Sequence, residues 1–158
     1  MPLHSEKRVV YYLPEQMYAL VADVESYPDF LPWCAGARIN KRYDNIFFAD
    51  LMIGYKLFRE KFTSKVGLYP QENRIEVTYT DGPFLYLKNY WGFHKHGDYC
   101  LIDFYLDFEF KNIVIQRMMR LFFNEAVRRM VQAFEDRAES LYGASSIFKS
   151  ASCSSKHF

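Results

Sequence analysis

The sequence predicts an α+β fold in which seven antiparallel strands curve around one long C-terminal helix. Three features predict it. From about residue 35 to 110, apolar residues recur at every second position in six successive runs. Residues 113–142 then run without Gly or Pro, with apolar residues at helical spacing. Fifteen Phe and 13 Tyr stand among 158 residues, and aromatic side chains suit strands and fill wide interiors.

Taken in order, residues 6–12 (EKRVVYY) read as a first strand. Pro14 opens a short helix, because a missing N–H is harmless in a first turn. Met17, Leu20, Val21 and Val24 give that helix one apolar face. The segment SYPDFLPW (26–33) is broken by Pro28 and Pro32, and reads as one tight helical turn or a loop carrying Tyr27, Phe30, Leu31 and Trp33. Six strands follow near 35–43, 46–55, 58–69, 73–81, 85–96 and 99–110. Asp44-Asn45, Pro70 to Asn73, Asp81-Gly82-Pro83 and Gly97-Asp98 separate them. Glycine at the first position of the last pair suits a type II′ hairpin turn.

Alternation assigns the faces. Phe58, Glu60, Phe62, Ser64 and Val66 share one side of their strand, and Ile102, Phe104, Leu106, Phe108 and Phe110 share one side of theirs. Asp103, Tyr105, Asp107 and Glu109 face the other way, so the sheet has a wet face and a dry one. The helix at 113–142 is roughly 45 Å long at 1.5 Å per residue. Its stripe of Phe123, Val127, Met130, Phe134, Ala138 and Leu141 covers the dry face, with Asn112 as N-cap and Gly143 beyond its end. This order of elements is the helix-grip arrangement. Residues 1–143 form one domain, and the Ser-rich stretch 144–158 is expected to be a disordered tail.

Composition narrows the function. A formal charge of +1 does not favour nucleic acid, and no DNA partner is expected. Cys34, Cys100 and Cys153 form no CxxC pair, and His94 and His96 lack a third ligand, so no metal is expected. No nucleophile motif, phosphate loop or dinucleotide fingerprint appears. The expectation is a non-catalytic protein without a cofactor. With no apolar run of spanning length and no secretory or transit signal, a cytoplasmic location is expected.

Four segments in order carry a family resemblance: ADVESYPDFLPWC (22–34), REKFTSKVGL (59–68), DGPFLYL (81–87) with Trp91 and Phe93 beyond it, and LDFEFKN (106–112). Through them, over about residues 3–142, the chain resembles the coenzyme Q-binding START-domain family. That family includes bacterial proteins described as ribosome-association toxins and as oligoketide cyclase-like. The resemblance implies ubiquinone or a similar isoprenoid lipid as bound ligand, and a lipid chaperone or carrier supporting respiratory electron transport. Its alternatives are an interaction protein that blocks ribosomal subunit joining and, third, a cyclase-type enzyme with Glu60 as its inward acid or base.

An isoprenoid ligand needs a long dry space with a few polar groups. Candidate contacts are Phe30, Leu31 and Trp33 at the lip. From the strands come Glu60, Phe62, Tyr79, Phe84, Leu87, Asn89, Trp91, Phe93, Phe104, Leu106 and Phe108, and from the helix Met119, Phe122 and Phe123. Glu60 either touches the headgroup or turns outward. Asn89 offers a hydrogen bond to a ligand carbonyl or to neighbouring backbone. Arg117, Arg120, Arg128 and Arg129 on the helix form either a solvated surface or a contact for the anionic inner membrane or another partner.

Overall fold

The computed structural model describes residues 3–55 and 58–143, apart from the side chains at 55 and 58; the predicted tail at 144–158 and Cys153 lie outside the described residues. The strands are β1 (Leu3–Val10), β2 (Cys34–Arg42), β3 (Ile46–Tyr55), β4 (Phe58–Tyr69), β5 (Arg74–Asp81), β6 (Phe84–His96) and β7 (Tyr99–Phe110). The helices are α1 (Pro14–Ala22) and α2 (Ile113–Tyr142), with a 3₁₀ segment at Val24–Asp29. One antiparallel sheet has the order β1-β7-β6-β5-β4-β3-β2, and α2 lies across its concave face. This is the helix-grip fold that the sequence predicts.

The local physics matches the sequence cues. The Asn112 side-chain oxygen accepts from Val114 N–H at 2.8 Å and Ile115 N–H at 3.2 Å, capping α2. Gly143, at φ 80°, closes the far end by donating to Glu139 O at 2.8 Å. Gly97 has φ 59° while Asp98 keeps a negative φ, as a type II′ turn requires. The buried Gln116 accepts from Phe110 N–H at 2.8 Å and so fastens the first turn of α2 to the end of β7.

Two expectations shift. The first strand spans 3–10 and not 6–12, because β1 pairs only with β7 and its last partner is Val10 opposite Cys100. Tyr11 and Tyr12 leave the ladder there, one residue short of the start of β7 at Tyr99, and the Tyr11 ring meets that of Tyr99 edge-on at 6.3 Å. Leu141 is exposed, and its neighbour Tyr142 turns in instead, packing on Tyr12 and donating to Gln16 O at 3.0 Å.

Antiparallel registers sort the turns between two ends of the molecule. The junction of β7 with α2, the β5–β6 turn, the β3–β4 turn and the start of β2 share one end. Lys111 N–H donates to Pro83 O at 2.9 Å there, and Gly54 N–H to Trp33 O at 2.8 Å. The hairpin turns β2–β3 and β6–β7 lie at the other end.

Candidate functional site

Between α2 and the sheet lies a cavity of about 210 Å³. Its floor is built by alternate residues of five strands, β3 to β7, which reach one space only because the sheet curves. Its roof is Met119, Phe123, Ala126, Val127, Met130 and Phe134 of α2, a stripe at helical spacing. Val24, Tyr27, Leu31 and Trp33 close the side through the proline-broken segment.

Two groups of rings hold the walls apart. Phe84 stacks on Phe110 at 4.7 Å and meets Phe62, Tyr79 and Phe108 edge-on at 5.2, 5.4 and 5.6 Å. Phe134 is met by Tyr27, Phe30 and Trp91 at 5.5, 5.2 and 5.2 Å. Edge-to-face pairs each contribute about 0.5–1.5 kcal/mol beyond area burial, so these contacts resist collapse of the space between them.

Among the described residues the wall holds no carboxylate, imidazole, amine or guanidinium. Its polar side chains are few and mostly committed. The Tyr27 hydroxyl donates to Val21 O, and burial pushes its pKa far up, so it stays neutral. Asn89 donates to Tyr105 O at 2.8 Å and accepts from the Trp91 indole N–H at 2.9 Å. Of the two sequence options for Asn89, the structure displays the backbone bond. Among the described residues no partner takes its second amide N–H, which can serve a guest. Ser64 is buried on the floor.

Burial also raises the pKa of the Cys34 thiol, which lines the cavity, and pushes Cys100 up to about 12. Both therefore carry little thiolate at neutral pH. In a Cys153→Ser protein, a small neutral maleimide is expected to label Cys34 roughly tenfold or more slowly than an exposed thiol. An anionic disulfide reagent should leave it untouched, and a cavity-filling guest should stop the labelling. Rapid modification by the anionic reagent, read by mass spectrometry, would contradict this burial.

Of the residues that sequence reasoning selected, Leu31, Trp33, Phe62, Phe84, Leu87, Asn89, Trp91, Leu106, Phe108, Met119 and Phe123 line the cavity. Six do not. Glu60 is exposed. It pairs with Ile53, which does line the cavity, so it sits on the concave side but at the rim, where its carboxylate stays hydrated. Phe30 lies on the outer side of the proline-broken segment, against Phe134 and beneath the Arg137 guanidinium at 5.1 Å. Tyr79 stands behind Phe84, its hydroxyl accepting from Phe84 N–H at 3.2 Å. Phe93 and Phe104 back the Trp91 ring, at 6.1 and 4.7 Å, and so do not reach the space in front of it. Phe122 is half-buried and about 100° around α2 from Phe123, at the margin of the inward face. Arg117, Arg120, Arg128 and Arg129 are exposed, away from the cavity.

Sequence reasoning missed Leu51, Ile53, Ser64, Val77 and Phe110 as lining residues, along with Tyr27 and Cys34. A signal existed for Leu51, Ile53 and Ser64. Leu51 lies opposite Phe62 in the β3–β4 pair, two positions from Ile53, and Ser64 is two positions from Phe62. Once Phe62 is placed inward, the period of two places the others there.

Several known proteins are similar to this chain in sequence or in fold. The family model described as polyketide cyclase / dehydrase and lipid transport matches residues 10–135. The ribosome association toxin RatA of Escherichia coli is 39% identical over 145 residues, covering 91% of this chain and 91% of that protein. The mitochondrial coenzyme Q-binding protein COQ10 homolog B of Xenopus laevis is 33% identical over 145 residues, covering 89% of this chain and 59% of that protein. Among solved structures, a START superfamily protein from Mycobacterium smegmatis aligns with a TM-score of 0.75 at 26% identity, over 88% of this chain and 98% of that one.

Proposed function

Because the chain belongs to the polyketide cyclase / dehydrase and lipid transport family, we propose that it binds ubiquinone or a similar isoprenoid lipid in this cavity. In this reading it acts as a carrier or chaperone that supports respiratory electron transport. The observation that carries the proposal is the wall itself: rings and aliphatic chains around an unfilled space, with no ionisable group among the described residues poised to titrate near neutral pH. General acid–base chemistry needs a group with a pKa near the working pH at the reacting atoms. Glu60, the residue a cyclase-type mechanism would use, is exposed at the rim. Apolar burial alone gives such a wall its affinity, about 25 cal/mol per Å² of surface removed from water.

The size of the cavity adds a finer expectation. A dry space of about 150 Å³ accepts benzene, so about 210 Å³ takes a ring or one short branched segment. Ubiquinone analogues of increasing tail length should gain on the order of a hundredfold in affinity over the first isoprene unit and little after it. Later units stay at the mouth or in a bilayer. Solvent extraction of the purified protein, followed by mass spectrometry, should recover quinone. Protein that repeatedly purifies without lipid and cannot take up any quinone would overturn the proposal.

A second reading is contact with the ribosome, favoured by the 39% identity to the toxin of Escherichia coli and by the exposed helix arginines. It needs the outer surface and not the cavity. Gradient profiles after overexpression separate the two, since a pure lipid carrier leaves subunit association unchanged.

A further inference from the structure

The outer face of α2 is as unusual as its inner one. At 100° per residue, positions 113, 114, 117, 120, 121 and 128 fall on one face of the helix. Ile113, Val114 and Leu121 are exposed there at 65%, 68% and 80%. Arg117, Arg120 and Arg128 are exposed between them. Leu85, 59% exposed, and Lys111 lie at the same end of the molecule, where Lys111 N–H bonds Pro83 O.

Charge sharpens the pattern. No acidic residue occurs from 110 to 124, and the first turn of α2 contains none. Among the described residues no carboxylate pairs with Arg117, Arg120 or Arg128, whereas Arg129 is held by Glu125 at 2.9 Å. The amino end of a helix carries partial positive charge, so arginines near it are unfavourable for the isolated protein and favourable toward an external anion. Single exposed apolar residues are ordinary, but large apolar residues interleaved with unpaired arginines on one helix face match an interfacial helix. Apolar chains enter the acyl boundary while guanidinium groups meet phosphates.

We infer that the outer face of α2, from Ile113 to Arg128, docks the protein on an anionic phospholipid bilayer. The inference deepens the lipid-carrier reading, and rests on it only for what is exchanged there. The same turns of α2 present Met119 and Phe123 to the cavity, so one helix meets the lipid source outside and the bound lipid inside.

The test is flotation of the full chain with two kinds of vesicle, phosphatidylcholine alone and phosphatidylcholine with about 30% phosphatidylglycerol. Binding is expected only to the anionic vesicles and should fall as salt rises. Arg117→Gln with Arg120→Gln should weaken it about thirtyfold. Lys41→Gln with Lys95→Gln, exposed lysines at the other end of the molecule, removes equal charge and should leave it unchanged. Uptake of a short-tail quinone from detergent should be the same in all three proteins, which keeps failure of docking distinct from failure of the cavity. Equal binding to neutral vesicles, insensitivity to the arginine pair or equal loss with the lysine pair would each overturn the inference. So would vesicles that stay unbound while ribosomal subunits are retained through the same arginines.

Discussion

Ala126→Phe is expected to abolish lipid uptake while leaving the protein folded. Ala126 lies midway along the roof of the cavity, between Phe123 and Met130, and its methyl faces the space. A benzyl group there occupies most of a volume that is about 210 Å³ in all. Quinone affinity should drop by roughly tenfold at least, since a guest loses the apolar contacts that are its main source of binding free energy. Stability should hold. The helix-propensity difference between Ala and Phe costs about half a kcal/mol, and burial of the new ring in the apolar cavity contributes about 2 kcal/mol in return. A melting temperature equal to or above that of the parent, with uptake lost, is the combined result that supports a hollow binding site. Unchanged uptake would mean that lipid binds elsewhere, and a collapse in stability would mean that the space is already packed.

Most of the fold was legible in the sequence, and the reasons are physical. The β3, β4 and β7 boundaries at 46–55, 58–69 and 99–110 were legible because Asp44-Asn45, Pro70 and Gly97-Asp98 interrupt strong alternation. The helix at 113–142 was bounded by an N-cap and a C-terminal glycine whose bonds the structure displays. The candidate site was legible in face but not in depth. A period of two says which side of the sheet Phe93 and Phe104 take, but not that Trp91 stands in front of both. It places Glu60 with Phe62 but cannot tell that Phe62 is buried while Glu60, nearer the strand end, reaches water. Tyr27 and Cys34 were illegible as lining residues because they flank a proline-broken stretch without periodicity, and their direction depends on tertiary contacts such as the Tyr27 bond to Val21 O.

The turn beside the aromatic cluster sets how far the cavity tolerates change. Gly82→Ala is expected to be the most damaging single-methyl substitution in the described chain. Gly82 has φ 141°, a conformation that disfavours any side chain. A Cβ there would stand 2.5 Å from the Cβ of Phe62 and 2.9 Å from its Cα, so β4 itself would have to move. Backbone strain of about 1–3 kcal/mol and overpacking of about 1–3 kcal/mol combine to a loss on the order of 4 kcal/mol. In a domain of this size that lowers the melting temperature by roughly 10 °C or more. Phe62 lines the cavity and packs on Phe84, so quinone uptake should fall with it. Gly97→Ala supplies the contrast. Gly97 also has positive φ, 59°, but nothing lies within 4 Å of the added methyl, and the expected loss is the strain alone, about 1–3 kcal/mol. Thermal melts of the two proteins therefore separate strain from collision. Equal melting temperatures would remove close approach of the β5–β6 turn to Phe62 as a determinant of the site, and would leave the position of the Phe84 cluster to the strand registers alone.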